Sequence, residues 1–209
     1  MKVPDRRPPR GLSPTALTTA RRVLVIGCPG AGKTTFAVRL AALTGLPVVH
    51  LDDLYFGPGW SATPPEEWRA EVRRLSAGQE WVVDGNHAAT LPERLARAEA
   101  VVLIDRAPVL CLAAYLRRLL RHARAAEDRL PHYMRLGAGR RRVADRPVSF
   151  ARFILAFRRR TLPGITACLA ARGDIPVVVL RSRADAEAVL TDLGRGLPTD
   201  RTGEGSGRC

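Results

Sequence analysis

A glycine-rich octapeptide constrains this chain more than any other feature of its sequence. Residues 27–34 read Gly-Cys-Pro-Gly-Ala-Gly-Lys-Thr, which fits the phosphate-loop (P-loop) pattern Gly-x-x-x-x-Gly-Lys-[Ser/Thr]. Lys33 is one of only two lysines among the 34 Lys and Arg residues of the chain. A match of this kind arises by chance in roughly one of a thousand chains of this composition, so the pattern predicts a phosphate-binding loop.

The residues on either side of the loop support this prediction. Residues 22–26 form a short apolar run that is typical of a buried parallel strand. Phe36, Leu40 and Leu43 then recur at helical spacing, and Gly45-Leu46-Pro47 ends the pattern. The loop therefore joins a strand to a helix N-terminus, where free amides and the helix dipole favour an anion.

Each residue type in the loop has a predicted task toward ATP and Mg²⁺. The glycines allow positive φ, so that successive amides can turn toward phosphate oxygens. Lys33 brings a positive charge to the β and γ phosphates, Thr34 completes the shell of Mg²⁺, and Thr35 reaches the α phosphate. The predicted nucleotide-binding residues of the loop are Gly27, Cys28, Pro29, Gly30, Ala31, Gly32, Lys33, Thr34 and Thr35.

Strand-like and helix-like runs alternate along the chain and predict an α/β fold with three layers. The strand-like runs are 23–27, 47–51, 81–84, 100–105 and 175–181. Alternation of this kind predicts a parallel sheet with helices on both faces. We expect one domain over residues 21–193, a disordered basic, proline-rich tail over 1–20, a flexible glycine-rich tail over 194–209, and an arginine-rich lid over about 127–148. In the helix expected over 108–126, Val109, Leu116 and Leu120 are predicted to face inward.

The net charge of +14 is concentrated in two segments. Residues 1–22 carry +5 and residues 117–160 carry +11, so the remainder sums to −2. Charge confined in this way favours a local task over a general affinity for nucleic acid. No apolar run approaches the roughly 20 residues of a membrane span, and the four scattered cysteines form no metal-binding pattern. We expect a cytoplasmic monomer or homodimer with no membrane partner.

Carboxylates follow three of the predicted strands, on the edge of the sheet where the P-loop lies. They are Asp52-Asp53, Asp84 and Asp105. A carboxylate there can bind Mg²⁺, accept a proton or bind substrate, and we assign metal binding to Thr34 and Asp105. Arg117, Arg121 and Arg124 share one helical stripe and Arg158 follows the lid, so we expect Arg117, Arg121 and Arg158 to act on the transferred phosphate. A solvated helix face would explain any one of these arginines equally well.

Several of these stretches together resemble the P-loop kinases. They are the P-loop with Thr35, residues 50–60 (His-Leu-Asp-Asp-Leu-Tyr-Phe-Gly-Pro-Gly-Trp), residues 83–87 (Val-Asp-Gly-Asn-His) and residues 104–108 (Ile-Asp-Arg-Ala-Pro). Residues 22–193 are most similar to the adenylate-kinase-like topology modulation proteins, and Asp-Asp-x-Tyr resembles uridine and nicotinamide riboside kinases. The resemblance implies strand order 2-3-1-4-5, adenine contacts around Arg181 and a base role for Asp52. Asp53, Tyr55, Trp60, Asp84 and Asn86 are the candidate acceptor-binding residues.

The leading functional hypothesis is an ATP-dependent phosphotransferase that acts on a small molecule. The acceptor would be a nucleoside, a nucleotide or a related metabolite, with Lys33 and Asp52 at the reacting groups. Two alternatives stay open: a nucleic-acid-associated ATPase that uses the basic tail and lid, and a nucleotide-binding regulator that transfers no phosphate.

Overall fold

A computed structural model describes residues 15–57, 61–124 and 147–196. Its centre is a five-stranded parallel sheet in the order β2-β3-β1-β4-β5, as predicted. The strands are β1 (Arg22–Gly27), β2 (Val48–His50), β3 (Trp81–Asp84), β4 (Ala100–Ile104) and β5 (Val177–Leu180). The middle strand β1 pairs with β3 on one side and with β4 on the other. Since all five strands run in parallel, their carboxyl ends share one edge of the sheet.

Helices flank this sheet in two groups. In the first group α1 (Thr15–Thr19) packs against α9 (Arg183–Gly196), and α9 packs against α2 (Lys33–Thr44). The second group consists of α4 (Pro65–Ser76), α5 (Leu91–Leu95), α6 (Pro108–Arg124), α7 (Pro147–Arg160) and α8 (Leu162–Arg172). In this group α4 packs against α5, α5 against α8, α8 against α7, and α7 against α6. The short helix α3 (Leu51–Tyr55) follows β2. The three-layer α/β prediction is confirmed.

The strands are buried because their residues are apolar on both faces. β1, β3 and β4 are covered along almost their whole length, as a parallel sheet between two helical layers requires. The interruption predicted near Pro163 is present, since α7 ends at Arg160 and α8 begins at Leu162. Ser182 caps α9 as predicted: its Oγ accepts a hydrogen bond of 3.0 Å from the amide of Asp185.

Helix α6 is rotated relative to the prediction. Val109 is 64% exposed and Leu120 is 59% exposed, and Leu116 is exposed as well, so the expectation that these three side chains face inward was wrong. Cys111 and Tyr115 are the buried residues, and α7 packs against this side of α6. The spacing of apolar residues along α6 is compatible with burial of either of two apolar stripes. Contact with α7 determines which stripe is buried.

At both ends a described helix extends past the expected domain boundary. Residues 15–19, which we expected in the disordered tail, form α1 and bury Leu17 completely. Helix α9 continues to Gly196, beyond the expected boundary at 193. The predicted lid falls in residues 125–146 apart from its last two positions, and so lies almost wholly outside the described residues. None of the described helices combines the length and the apolar character that a bilayer crossing requires.

Candidate functional site

The P-loop lies at the carboxyl edge of the sheet between β1 and α2. Gly27, Gly30 and Gly32 have φ values of 148°, 81° and 103°, which are positive as predicted. A Cβ on Gly27 would collide with the carbonyl oxygen of Ile104, and one on Gly30 with that of Cys111. The amide of Ala31 donates to the carbonyl of Cys28 at 3.0 Å, which closes the turn within the loop. Lys33 Nζ donates to the same carbonyl at 3.3 Å, so its ammonium group lies over the loop.

Asn86 holds the first residue of the loop by two hydrogen bonds. The amide of Gly27 donates to Asn86 Oδ1 at 3.0 Å, and Asn86 Nδ2 donates to the Gly27 carbonyl at 2.8 Å. The side chain therefore pairs with β1 as a neighbouring strand would. The sequence assigned Asn86 to acceptor binding, whereas in the structure both polar groups of its side chain support the P-loop.

Asp84 at the end of β3 lies beside the first turn of α2. Thr34 Oγ1 donates to Asp84 Oδ2 at 2.6 Å, and His50 Nδ1 lies 3.1 Å from the same oxygen. The hydrogen bond to Asp84 raises the pKa of His50 against the opposing effect of burial, and the charges of Asp84, Asp53 and Asp52 act in the same direction. The Asp84 side chain is only 6% exposed.

The second oxygen of Asp84, Oδ1, is buried and has no hydrogen-bond partner among the described residues. A hydroxyl beside a buried carboxylate with a free oxygen fits Mg²⁺, which takes one or two protein oxygens and fills its shell with water and phosphate. Thr34 and Asp84 therefore fit the ion. In the described residues no three His, Cys, Asp or Glu side chains group as a metal cage.

Asp52, the predicted base, lies in the first turn of α3. Its carboxylate is 63% exposed, and His87 Nε2 lies 3.1 Å from Oδ1. Partial desolvation by the surrounding groups would raise the pKa of Asp52, but the hydrogen bond from His87 and the charges of His87, Lys33 and Arg118 outweigh it and hold this pKa below its usual range. The carboxylate is therefore ionised well below neutral pH, and the positive charge of the P-loop lysine favours this ionised form.

An aromatic cluster lies next to Asp52. The Tyr55 ring centroid is 4.6 Å from that of His87 and 5.1 Å from that of Trp68, and Trp68 lies 4.9 Å from His87. Trp68 is buried and supports the other two rings, which are partly exposed. Asp53 adjoins Asp52 in sequence, and its buried Oδ1 has no hydrogen-bond partner among the described residues. Trp60, the other predicted acceptor-binding aromatic residue, lies outside the described residues.

Arg94 is a residue of the site region that the sequence did not indicate. Its side chain is fully buried and donates to the main-chain carbonyls of Gly85, Asn86, His87 and Thr90. Burial lowers the pKa of Arg94 to about 10, and nearby Glu93 opposes this effect. His87, at φ 33°, is the only described non-glycine residue with a positive φ. Arg94 thus fixes the segment that carries Asn86 and His87. The only local feature of the sequence at this position is that Arg94 ends a Leu-Pro-Glu-Arg run.

The three arginines predicted to act on the transferred phosphate occupy different positions. Arg158 donates from Nε to Asp105 Oδ1 at 2.8 Å and from a terminal nitrogen to the Asp105 carbonyl at 3.0 Å. Asp105, predicted to bind metal, is therefore paired with an arginine, whereas Thr34 contacts Asp84. Arg117 and Arg121 are exposed, and Arg117 donates to the Ala113 carbonyl of its own helix at 3.3 Å.

Arg118, which no pattern selected, is the α6 arginine whose charge acts on Asp52. It adjoins Arg117 in sequence and is partly buried, whereas Arg117 is exposed. Arg181 follows β5 with an exposed side chain, and its amide donates to Asp185 at 2.7 Å.

The sheet order and the flanking helices give this chain an α/β fold that matches those of P-loop kinases. A protein from Chloroflexus aurantiacus described as a candidate kinase superposes with a TM-score of 0.51 at 17% identity, over 84% of this chain and 97% of that one. A sugar kinase from a Janibacter species gives a TM-score of 0.47 at 19% identity, over 82% and 91% of the two chains. Shikimate kinase from Acinetobacter baumannii gives 0.43 at 18%, over 89% and 100%.

At 17% identity the first superposition shows a common fold and nothing more specific. No protein-family model and no curated protein sequence matches the chain.

Proposed function

We propose that this protein transfers the γ-phosphoryl group of ATP to a hydroxyl group of a small molecule. One observation supports this proposal above the others: the Asp52 carboxylate is exposed and lies within the electrostatic influence of Lys33. A protein that only binds nucleotide has no need of an ionised carboxylate opposite its P-loop lysine. Phosphotransfer needs such a group to receive the acceptor's proton.

The chain's own residues supply positioning and charge. The P-loop amides and Lys33 bind the phosphates of the nucleotide, and Asn86 keeps the loop in its binding shape. Thr34 and Asp84 would hold Mg²⁺, which neutralises charge on the phosphates when bound. Asp52 orients the acceptor hydroxyl and takes its proton, while Arg118 adds positive charge on the α6 side of the cleft.

The groups around Asp52 favour an acceptor with a hydroxyl group and a flat, weakly polar body. Tyr55 and His87 offer partly exposed rings beside the carboxylate, and aromatic faces suit such a body. Arg94 is not available to bind an acceptor phosphate, because its guanidinium group already donates to four carbonyls. We therefore favour a nucleoside-like acceptor over a nucleotide.

The test is acceptor-dependent release of ADP from Mg-ATP, measured across matched pairs of nucleosides and their monophosphates. We expect at least one nucleoside to stimulate ADP release more than its monophosphate does. Lys33→Ala should remove both ATP binding and turnover, whereas Asp52→Asn should keep ATP binding and lower kcat by about a hundredfold or more. Arg39→Ala is the matched control for charge removal on α2, since Arg39 pairs with Glu187 on its surface.

Two results would contradict the proposal. If ATP binds but no hydroxyl compound stimulates ADP release, the protein is a nucleotide-binding regulator. If Asp52→Asn turns over acceptor as fast as the parent, Asp52 is not the base.

A further inference from the structure

Two cysteine side chains meet beneath the P-loop. Cys28 is the second residue of the loop, and Cys111 lies in the first turn of α6. The two residues are 2% and 0% exposed, and the interaction between the two thiols is the largest influence on the pKa of each. Cys28 Sγ also lies 3.8 Å from the Ile154 carbonyl oxygen, and Cys111 Sγ lies 3.8 Å from that of Arg106. The pair therefore sits where the loop, α6 and α7 come together.

The main chain of the loop also touches α6 at this point. Gly30 packs so closely on the carbonyl group of Cys111 that a Cβ at position 30 would overlap it. The turn between Cys28 and Ala31 carries the loop over the pair. A covalent bond between the two sulfurs would thus join the P-loop directly to the start of α6, with little room for either to adjust.

The charges around the pair distinguish its two members. The hydrogen bond from Cys28 lowers the pKa of Cys111 to about 7 against the effect of burial, and the positive charges of Arg106, Lys33 and Arg158 add to it. The same hydrogen bond, with burial, raises the pKa of Cys28. Arg106 is itself buried, and its Nε has no partner among the described residues. Cys111 is therefore the more acidic thiol of the pair and the better placed to act as its nucleophile, and Cys28 holds its proton more tightly.

We propose that Cys28 and Cys111 form a reversible disulfide when the protein meets a hydroperoxide, and that this bond prevents nucleotide binding at the P-loop. The Cys111 thiolate attacks one peroxide oxygen, the O–O bond breaks, and the leaving oxygen takes a proton to give water or an alcohol. The sulfur of Cys28 then attacks the sulfenic sulfur of Cys111, and a second water leaves with the Cys28 proton. The two thiols together lose two electrons, and the peroxide gains them.

The consequence for binding rests on the proposed function, but the bond itself does not. A disulfide draws the two β-carbons to about 3.8 Å and fixes the torsion between them. The Cys28 carbonyl, which receives both the Ala31 amide and Lys33 Nζ, would move with its side chain. The amides that should surround the phosphates would then be displaced, and bound nucleotide should in turn slow the oxidation.

The experiment uses the full chain with Cys168→Ser and Cys209→Ser, so that Cys28 and Cys111 are its only cysteines. The protein is treated with hydrogen peroxide, and its intact mass is measured without reductant. Affinity for Mg-ATP is measured by calorimetry before oxidation, after it, and after dithiothreitol. We expect a loss of about 2 Da, a fall in affinity of about tenfold or more, and recovery of both by the reductant.

Cys111→Ala in the same background is the matched control, because it removes the partner without changing the P-loop sequence. Its reduced form should bind nucleotide like the parent, and peroxide should neither remove 2 Da nor weaken binding. Should this variant fail to fold, peptide mapping of the oxidised parent identifies the linked cysteines directly.

The inference is overturned if peroxide leaves both thiols free, if it carries them only to sulfinic acid, or if the disulfide forms and nucleotide affinity is unchanged. Failure of the proposed function gives a different result. In that case the reduced protein binds no nucleotide, while the mass measurement still shows whether the two sulfurs join.

Discussion

At the scale of single residues, the site depends on how neighbouring charges are paired. Asp52 and Asp84 both have a histidine within 3.1 Å, yet their surroundings differ. Asp84 is buried and contacts Thr34, so it suits metal binding. Asp52 is exposed, and the charge of Lys33 favours its ionised form, so it suits proton transfer. Two similar carboxylates therefore take separate tasks because of the groups around them.

His87 should control the acid limb of the pH profile for phosphotransfer. The pKa of Asp52 is lowered by His87, so replacing this histidine with a neutral residue should raise that pKa. Asp52 has to be ionised to act, so the acid limb of kcat against pH should move to higher pH in His87→Asn. Asparagine is chosen because it tolerates the positive φ at this position.

Tyr55→Phe is the control for the pH profile, because it keeps the ring next to His87 and changes no charge. Its acid limb should coincide with that of the parent. An unmoved limb in His87→Asn would show that the pH dependence arises elsewhere.

At the scale of structural elements, two glycines of the P-loop allow a matched comparison. Gly30 and Gly32 both have positive φ, but a Cβ on Gly30 meets the Cys111 carbonyl, while a Cβ on Gly32 has no atom within 4 Å. Gly32→Ala should therefore cost only the backbone strain, about 1–2 kcal/mol of unfolding free energy. Gly30→Ala should cost clearly more, because the loop has to separate from α6.

Urea denaturation of the two glycine variants measures this difference. Equal losses of stability would mean that the contact between the loop and α6 is not as close as described.

The segment after β3 should depend on Arg94. Replacing this buried guanidinium group by methionine leaves carbonyls at positions 85, 86, 87 and 90 without their donor. We expect Arg94→Met to lower the free energy of unfolding by about 3 kcal/mol or more. The exposed neighbour Arg97 is the control, and Arg97→Met should stay within about 0.5 kcal/mol of the parent. Thermal or urea unfolding of both variants measures the two changes in the free energy of unfolding.

The sequence predicted the elements well because their signals are local. All five strands, the P-loop and the Ser182 cap lie where apolar runs and capping residues indicate. The buried side of α6 was not predictable, because it depends on how α6 packs against α7. For the same reason the sequence did not indicate that Arg118, and not Arg117, influences the pKa of Asp52. The sequence predicts acceptor binding for Asn86 and gives no indication of its contact with Gly27. The reason is that nothing in the residues around Asn86 shows which main-chain groups its side-chain amide will contact.

At the scale of the whole molecule, helix α1 contributes to the core. Leu17 of α1 is fully buried, and α1 packs against α9, the last described helix. This contact joins the two ends of the described chain over one face of the sheet. The tail predicted over residues 1–20 therefore includes a short part that stabilises the domain.

Leu17→Ala should lower the free energy of unfolding by about 2–5 kcal/mol, the usual range for a buried leucine. Val38→Ala is the control, since Val38 is 47% exposed on α2, and its effect should stay within about 0.5 kcal/mol. Calorimetric melting of the two variants compares them. A neutral Leu17→Ala would place α1 outside the cooperative unit.

The two hydrogen bonds between the Asn86 side chain and the Gly27 main chain, here called the Asn86 clamp, have a consequence for the kinetics of nucleotide binding. The clamp consists entirely of protein groups, so it is in place before any nucleotide arrives. Little main chain then has to be ordered at the moment of capture, which keeps association close to the rate set by encounter and orientation. Differences in affinity among variants that leave the clamp intact should consequently appear as differences in residence time.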